Sequence, residues 1–222
     1  YEGMTMVWSD EFDGTSINLE NWTYDLGNNG WGNNEWQNYT NSSANSSVAD
    51  GFLTITARQE GSGYTSARLK SQGLQSFQHG RMDIRAKLPE GQGIWPAIWM
   101  LGENFTSVGW PACGEIDIME LIGHQPSTVH GTAHWGSNWN VHQYDGASIT
   151  LPNGEKFSDA FHLFSVIWEE NQITWLMDDQ PYYSINNTQM NGQPYPFNAP
   201  FFFIMNVAVG GNWPGYPDAS TQ

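Results

Sequence analysis

Only one cysteine, Cys113, occurs in 222 residues, so no disulfide can form within the chain and burial alone must hold its core. Basic residues are nearly as scarce. Seven Lys and Arg stand against 23 Asp and Glu, for a formal net charge of -16. A surface of that sign repels nucleic acid, anionic lipid and sulfated polysaccharide, and leaves a neutral partner unaffected. No apolar run is long enough to span a bilayer, and no basic-then-apolar leader opens the sequence. The expectation is a secreted protein in its mature form, without membrane or nucleic-acid partners, and a monomer. Helical periodicity, linkers, repeats and low-complexity tails are also lacking. The chain therefore reads as one domain over 1–222, a size that all-β units reach.

What the sequence has instead is aromatic surface: twelve Trp, nine Tyr and eleven Phe. Indole faces stack on pyranose rings and amides take hydroxyls, so Trp with abundant Asn, Gly and Gln suits a sugar-binding cleft. Many of these rings must also be plain core. Short β-branched and aromatic runs punctuated by Gly, Asn, Ser and Pro predict strands at 5–8, 52–58, 64–70, 77–87, 94–101, 115–121, 128–135, 161–169, 172–177, 180–185 and 201–209. One helical turn is expected near 158–161. The stretch 28–47 is rich in Asn, Gly and Ser, and reads as a binding loop. Many strands joined by turns predict an all-β antiparallel sandwich or jelly roll.

The segment Gly114-Glu115-Ile116-Asp117-Ile118-Met119-Glu120 carries the chemistry. Three carboxylates in an apolar, β-favouring context are costly unless their face lines a polar cleft. Glu115 and Asp117 share a face, but Glu120 is five residues from Glu115 and a regular strand would turn it away. A β-bulge near Ile118 or Met119 restores the facing. The glutamates then behave as an i, i+4 pair with Cα atoms about 13 Å apart. Leaning side chains close that to the ~5–5.5 Å carboxyl separation of retaining glycosidases. An acidic edge strand or a cation site has the same short pattern, and the flanking sequence is needed to choose.

That flanking sequence resembles family-16 glycoside hydrolases, and within them the bacterial laminarinases (endo-β-1,3-glucanases). The matching pieces are 7–14 (VWSDEFDG), 64–69 (YTSARL), 91–101 (GQGIWPAIWML), 110–120 (WPACGEIDIME), 130–135 (HGTAHW) and 206–215 (NVAVGGNWPG). They cover nearly the whole chain. The resemblance implies a concanavalin-like jelly-roll sandwich with an open concave cleft, and endo cleavage with retention, without a catalytic cofactor. It makes Glu115 the nucleophile, Asp117 its partner and Glu120 the acid/base. Trp95, Trp99 and Trp110 become sugar-stacking positions, and His134 a partner for Asp117 or a substrate hydroxyl. Arg68, Asn33 and Asn212 are further substrate-side candidates, and Cys113 is small buried filler.

The resemblance also implies a structural calcium ion, with backbone carbonyls at Glu11 and Gly51 as ligands and an aspartate from a final strand. Oxygen ligands suit calcium. The sequence given ends at Gln222, seven residues after Gly215, before that strand; an uncovered sheet edge and lower stability are expected from its absence. The expected partner is a neutral β-glucan. A non-catalytic glucan-binding module on the same fold is the alternative, and the two glutamates argue against it. A sulfated galactan as substrate would need basic residues along the cleft. Six of the seven lie between Arg58 and Lys87, and of these Arg68 alone reads as substrate-side.

Overall fold

The computed structural model describes residues 1 and 3–221. The N-terminal half supplies β1 (Thr23–Asp25), β2 (Gln37–Tyr39), β3 (Ser46–Ala49), β4 (Phe52–Ile55), β5 (Arg58–Glu60), β6 (Gly63–Ser66), β7 (Arg68–Lys70), β8 (Gly80–Ala86) and β9 (Ile94–Gly102). A one-turn helix, α1 (Phe105–Val108), precedes β10 (Glu115–Glu120), β11 (Thr128–Trp135) and β12 (Gln143–Thr150). The chain then forms β13 (His162–Glu169), β14 (Gln172–Met177), β15 (Gln180–Asn186) and β16 (Phe201–Val209).

Seven strands, in the order β1-β7-β16-β9-β10-β11-β12, form one antiparallel sheet, and β15-β14-β13-β8 form the sheet behind it. This is the expected jelly-roll sandwich. Alternation decides which side chains meet between the sheets. On β11, Val129, Ala133 and Trp135 point inward and His130, Thr132 and His134 point away. Ile116 and Met100 join them from the neighbouring strands, opposite Phe164, Val166, Trp168, Ile173 and Trp175 of the second sheet. Gly131 is required where it stands. A Cβ there would meet Trp175 Cδ1 and the Tyr182 hydroxyl at 2.4 Å. Its absence lets Trp175 reach beneath β10 and donate its indole N–H to the backbone oxygen of Asp117 at 2.8 Å.

Several expectations need correcting. Residues 5–8 form no strand, because no neighbour pairs with them; Met6 and Val7 are 80% and 85% exposed. Residues 157–159 turn without becoming helical. The run 64–70 breaks at Ala67 into β6 and β7, which belong to different sheets. The polar stretch 28–47 is not all loop. It contains β2, whose Gln37 and Tyr39 are fully buried. Strand β12 was not legible as a strand, since its inward-facing side is only half covered.

Candidate active site

The groove face of the seven-stranded sheet owes its chemistry to a register shift in β10. Glu115 pairs with Leu101 of β9, Asp117 with Trp99 and Glu120 with Ala97. A separation of five on β10 thus matches four on β9, and the same shift appears against β11. Ile118 and Met119 are consecutive, yet both are buried in the core. Two successive inward side chains return Glu120 to the face that carries Glu115 and Asp117.

Carboxylates crowded on a desolvated face need donors, and indoles supply them. Trp110 Nε1–H donates to Glu115 Oε2 at 3.0 Å, and Trp95 Nε1–H to Glu120 Oε1 at 3.1 Å. His134, opposite Glu115 on β11, brings Nε2 within 3.1 Å of Asp117 Oδ2 and 3.8 Å of Glu115 Oε1. The shorter contact lacks the alignment of a hydrogen bond, so Asp117 Oδ2 has no formal partner. Burial pushes the Glu115 carboxyl up to about 8, with Asp117 and Glu120 adding repulsion and His134 and Trp110 opposing it. Burial raises Asp117 likewise, and burial followed by repulsion from Asp117 raises Glu120, each to about 8. Three such groups cannot all be ionised together at neutral pH. Protonating one relieves the others.

Around them runs a groove of about 1150 Å³, to which all seven strands contribute, from Asp25 on β1 to Tyr144 on β12. It collects every substrate-side residue read from the sequence: Asn33, Arg68, Trp95, Trp99, Trp110, His134 and Asn212. Trp95 and Trp99, four apart on β9, both face it. Arg68 is held rather than free. Its Nε donates to Asp25 Oδ2 at 2.9 Å, and its guanidinium lies 4.8 Å from the rings of both Trp31 and Trp99. Lys70 Nζ meets the other oxygen of Asp25 at 2.6 Å. Asn33 donates to Glu35 Oε1 at 3.0 Å, and its backbone oxygen accepts from the Asn212 amide at 2.9 Å.

Tyr39, Asn206, Trp139, His142 and Tyr144 received no role from the sequence. Trp99 Nε1–H donates to Asn206 Oδ1, Asn206 Nδ2 to the Tyr39 hydroxyl, and that hydroxyl to Glu35 Oε2. This buried chain ties a groove tryptophan to the loop that carries Asn33. Trp139 and Tyr144, 69% and 68% exposed, form with His142 an aromatic wall beside Trp110. The interleaved run Trp139-Asn140-Val141-His142-Gln143-Tyr144 was the available signal. Cys113 is buried and its thiol pushed up to about 12 by burial, as suits inert filler.

Glu11 and Gly51 lie apart from the groove, both exposed, with Gly51 in the left-handed turn between β3 and β4 at φ 76°. Among the described residues, no cluster of three His, Cys, Asp or Glu side chains forms around either. The two positions offer oxygen donors, their backbone carbonyls and the Glu11 carboxylate, and oxygen donors are the kind calcium takes.

Residues 33–222 match the domain described as Glycosyl hydrolases family 16. The chain is 41% identical over 244 residues to Glucan endo-1,3-beta-glucosidase A1 of Niallia circulans, covering 98% of itself and 36% of that protein. It thus spans about a third of that relative's length. It is 44% identical over 223 residues to a Beta-glucanase of Rhodothermus marinus, covering 95% of itself and 77% of that protein. Among solved structures, the laminarinase catalytic domain from Thermotoga maritima superposes with a TM-score of 0.89 at 44% identity, covering 98% of this chain and 92% of that one. The endo-beta-1,3-glucanase from Pyrococcus furiosus gives 0.89 at 42%, covering 97% and 88%.

Proposed function

Because the chain belongs to glycosyl hydrolase family 16, we propose that its groove cleaves internal β-1,3-glucosidic bonds of laminarin-like or mixed-linkage β-glucans with retention of configuration. The observation that carries this reading is the bulge at Ile118–Met119, which turns Glu115, Asp117 and Glu120 to one face beneath two indole donors. Seven strands spaced about 4.8 Å apart make a floor roughly 29 Å across, long enough for the middle of a polysaccharide chain. Uncharged aromatic walls favour a neutral polymer, and the two groove cations, Arg68 and Lys70, are both held by Asp25 instead of standing free for an anionic one.

In this reading Glu115 attacks the anomeric carbon while Glu120 gives its proton to the departing oxygen. A covalent glycosyl-enzyme results. Glu120, now ionised, takes a proton from water, which displaces Glu115 from the sugar. Burial that raises Glu120 keeps its proton available at neutral pH. Glu115 is relieved by the Trp110 N–H and by His134 on its flank, which favours its ionised form once Glu120 holds the shared proton. Asp117, between them, repels a second negative charge on Glu120 and so supports its protonated state. A polymeric substrate that cannot enter a cell supports an extracellular site of action.

The test is reducing-sugar release from laminarin, barley mixed-linkage glucan and carrageenan in parallel, with product lengths followed over time. Early short oligosaccharides from laminarin are expected, and none from carrageenan. Silence on all three with laminarin still bound would replace this reading with a binding module.

A further inference from the structure

The groove wall beside Glu115 holds a second histidine that this chemistry does not use. His142 follows the 3-10 turn Trp139–Val141 and sets its Nε2 2.9 Å from His134 Nδ1. The two rings are nearly parallel, with centroids 5.2 Å apart and planes at 13°. Trp110, the ring that donates to Glu115, packs on His142 at 4.5 Å. The groups facing the histidine pair are Glu115 and Asp117 from β10 and Tyr144 from β12, while Trp110 and Trp139 close the other side without charge.

A hydrogen bond between two imidazole nitrogens holds one proton. Burial, then the neighbouring His134, pushes the His142 pKa down, which favours its neutral form. When His134 is neutral as well, a proton on His142 Nε2 occupies its Nδ1 and leaves its own proton on Nε2. When His134 is cationic, the bare His142 Nε2 accepts its Nδ1–H. Both states leave an N–H of His134 on the side of the carboxylates, 3.1 Å from Asp117 Oδ2 and 3.8 Å from Glu115 Oε1. With Glu120 holding the shared proton, the remaining arrangement turns a nitrogen lone pair toward the ionised Asp117 and Glu115 and is opposed by repulsion.

We propose that His142 is a positioning residue that, through its bond to Nδ1, keeps a proton on His134 Nε2, on the side of the ring that faces Asp117 and Glu115. The inference rests on the roles given above to those carboxylates and adds the group that orients their partner. Without that bond the Nε2–H of His134 is no longer fixed beside Glu115, whose ionised form loses support.

His142→Phe keeps a ring against Trp110 and removes both nitrogens, whereas His142→Gln puts an amide where Nε2 stood. His142→Phe is expected to lower kcat/KM on laminarin about ten- to hundredfold, the size of one charge-assisted hydrogen bond, and to move the acid limb of the pH profile upward. His142→Gln is expected to recover most of both. Nitrogen-15 NMR of the imidazoles should find a proton on His134 Nε2 in the unmodified chain and in His142→Gln, and mixed tautomers in His142→Phe. Equal losses in both variants with an unmoved acid limb would reduce His142 to packing and overturn the proposal. So would an unchanged profile in His142→Phe. Should His142→Phe not fold, a bare Nε2 on His134 in the unmodified chain would overturn it. The NMR reading needs no turnover, so a chain that fails to cleave laminarin would sink the glucanase reading while the tautomers still decide this one.

Discussion

Trp110 donates its indole N–H to Glu115 at 3.0 Å, so one ring both walls the groove and opposes the upward push of burial on that carboxyl. Trp110→Phe preserves a ring and deletes the donor. The Glu115 carboxyl should rise further, moving the acid limb of kcat/KM to higher pH and lowering kcat about tenfold or more, as expected for a lost hydrogen bond to a charged group. A pH–rate profile checks this. A change in KM alone would assign Trp110 to sugar stacking only.

The two glutamates are separated by different substitutions. Glu115→Ala should abolish hydrolysis while laminarin binding and melting temperature stay close to the parent. Glu120→Ala should lose most activity on poor leaving groups and regain cleavage of an activated aryl glycoside when azide is added. Kinetics with and without azide distinguish the roles, and rescue of the Glu115 variant in place of the Glu120 variant would exchange them.

Stability should depend on pH through the same cluster. Carboxyls raised to about 8 in the folded chain hold protons that the unfolded chain has released. Their contribution is therefore fully present below the ordinary carboxylate range and is lost as pH rises through about 8. Glu120→Gln removes one of these ionisations, so its melting temperature should exceed the parent's at pH 8–9 and the gap should close by about pH 5. Thermal unfolding across pH, followed by circular dichroism, measures it. A constant gap would remove ionisation as the cause.

Deleting Met119 tests the bulge. With Glu120 four residues from Glu115, a regular strand already faces both to the groove. The variant should retain measurable hydrolysis but lose stability, by about 2–5 kcal/mol for a lost core methionine. Complete inactivity in a folded variant would show that the bulge sets the spacing of the carboxyls as well as their facing.

Glu35 is buried beneath the Asn33 loop, where it accepts from Asn33, Gln37 and Tyr39. Glu35→Gln would turn an amide N–H toward one of these donors, at a cost of about 1–3 kcal/mol. The melting temperature should fall about 2–4 °C per kcal/mol. The loop borders the groove, so KM on laminarin should rise more than kcat falls. A parent-like KM would detach the loop from substrate binding.

The amino-acid order was enough for the β class and for a bulge at Ile118 or Met119, because period-two alternation and its interruption are local properties of the chain. It also located Trp95, Trp99, Trp110 and His134, since their motifs lie on β9, β11 and the approach to β10. Other features depended on distant partners. Residues 64–70 form one continuous β pattern, and only the positions of β2 and β16 divide it between two sheets. Gln37 and Tyr39 sit in a stretch too polar to read as core, yet they are buried because Val209 and Asn206, far along the chain, satisfy their polar atoms. His142 lies in an aromatic-rich run of the sequence, but nothing there ties it to His134. It acquires a role from the pairing of β12 with β11, which brings its Nε2 to His134 and so to the carboxylates of β10. Periodicity is written residue by residue, but a hydrogen bond between side chains needs both ends of a folded chain to arrive together.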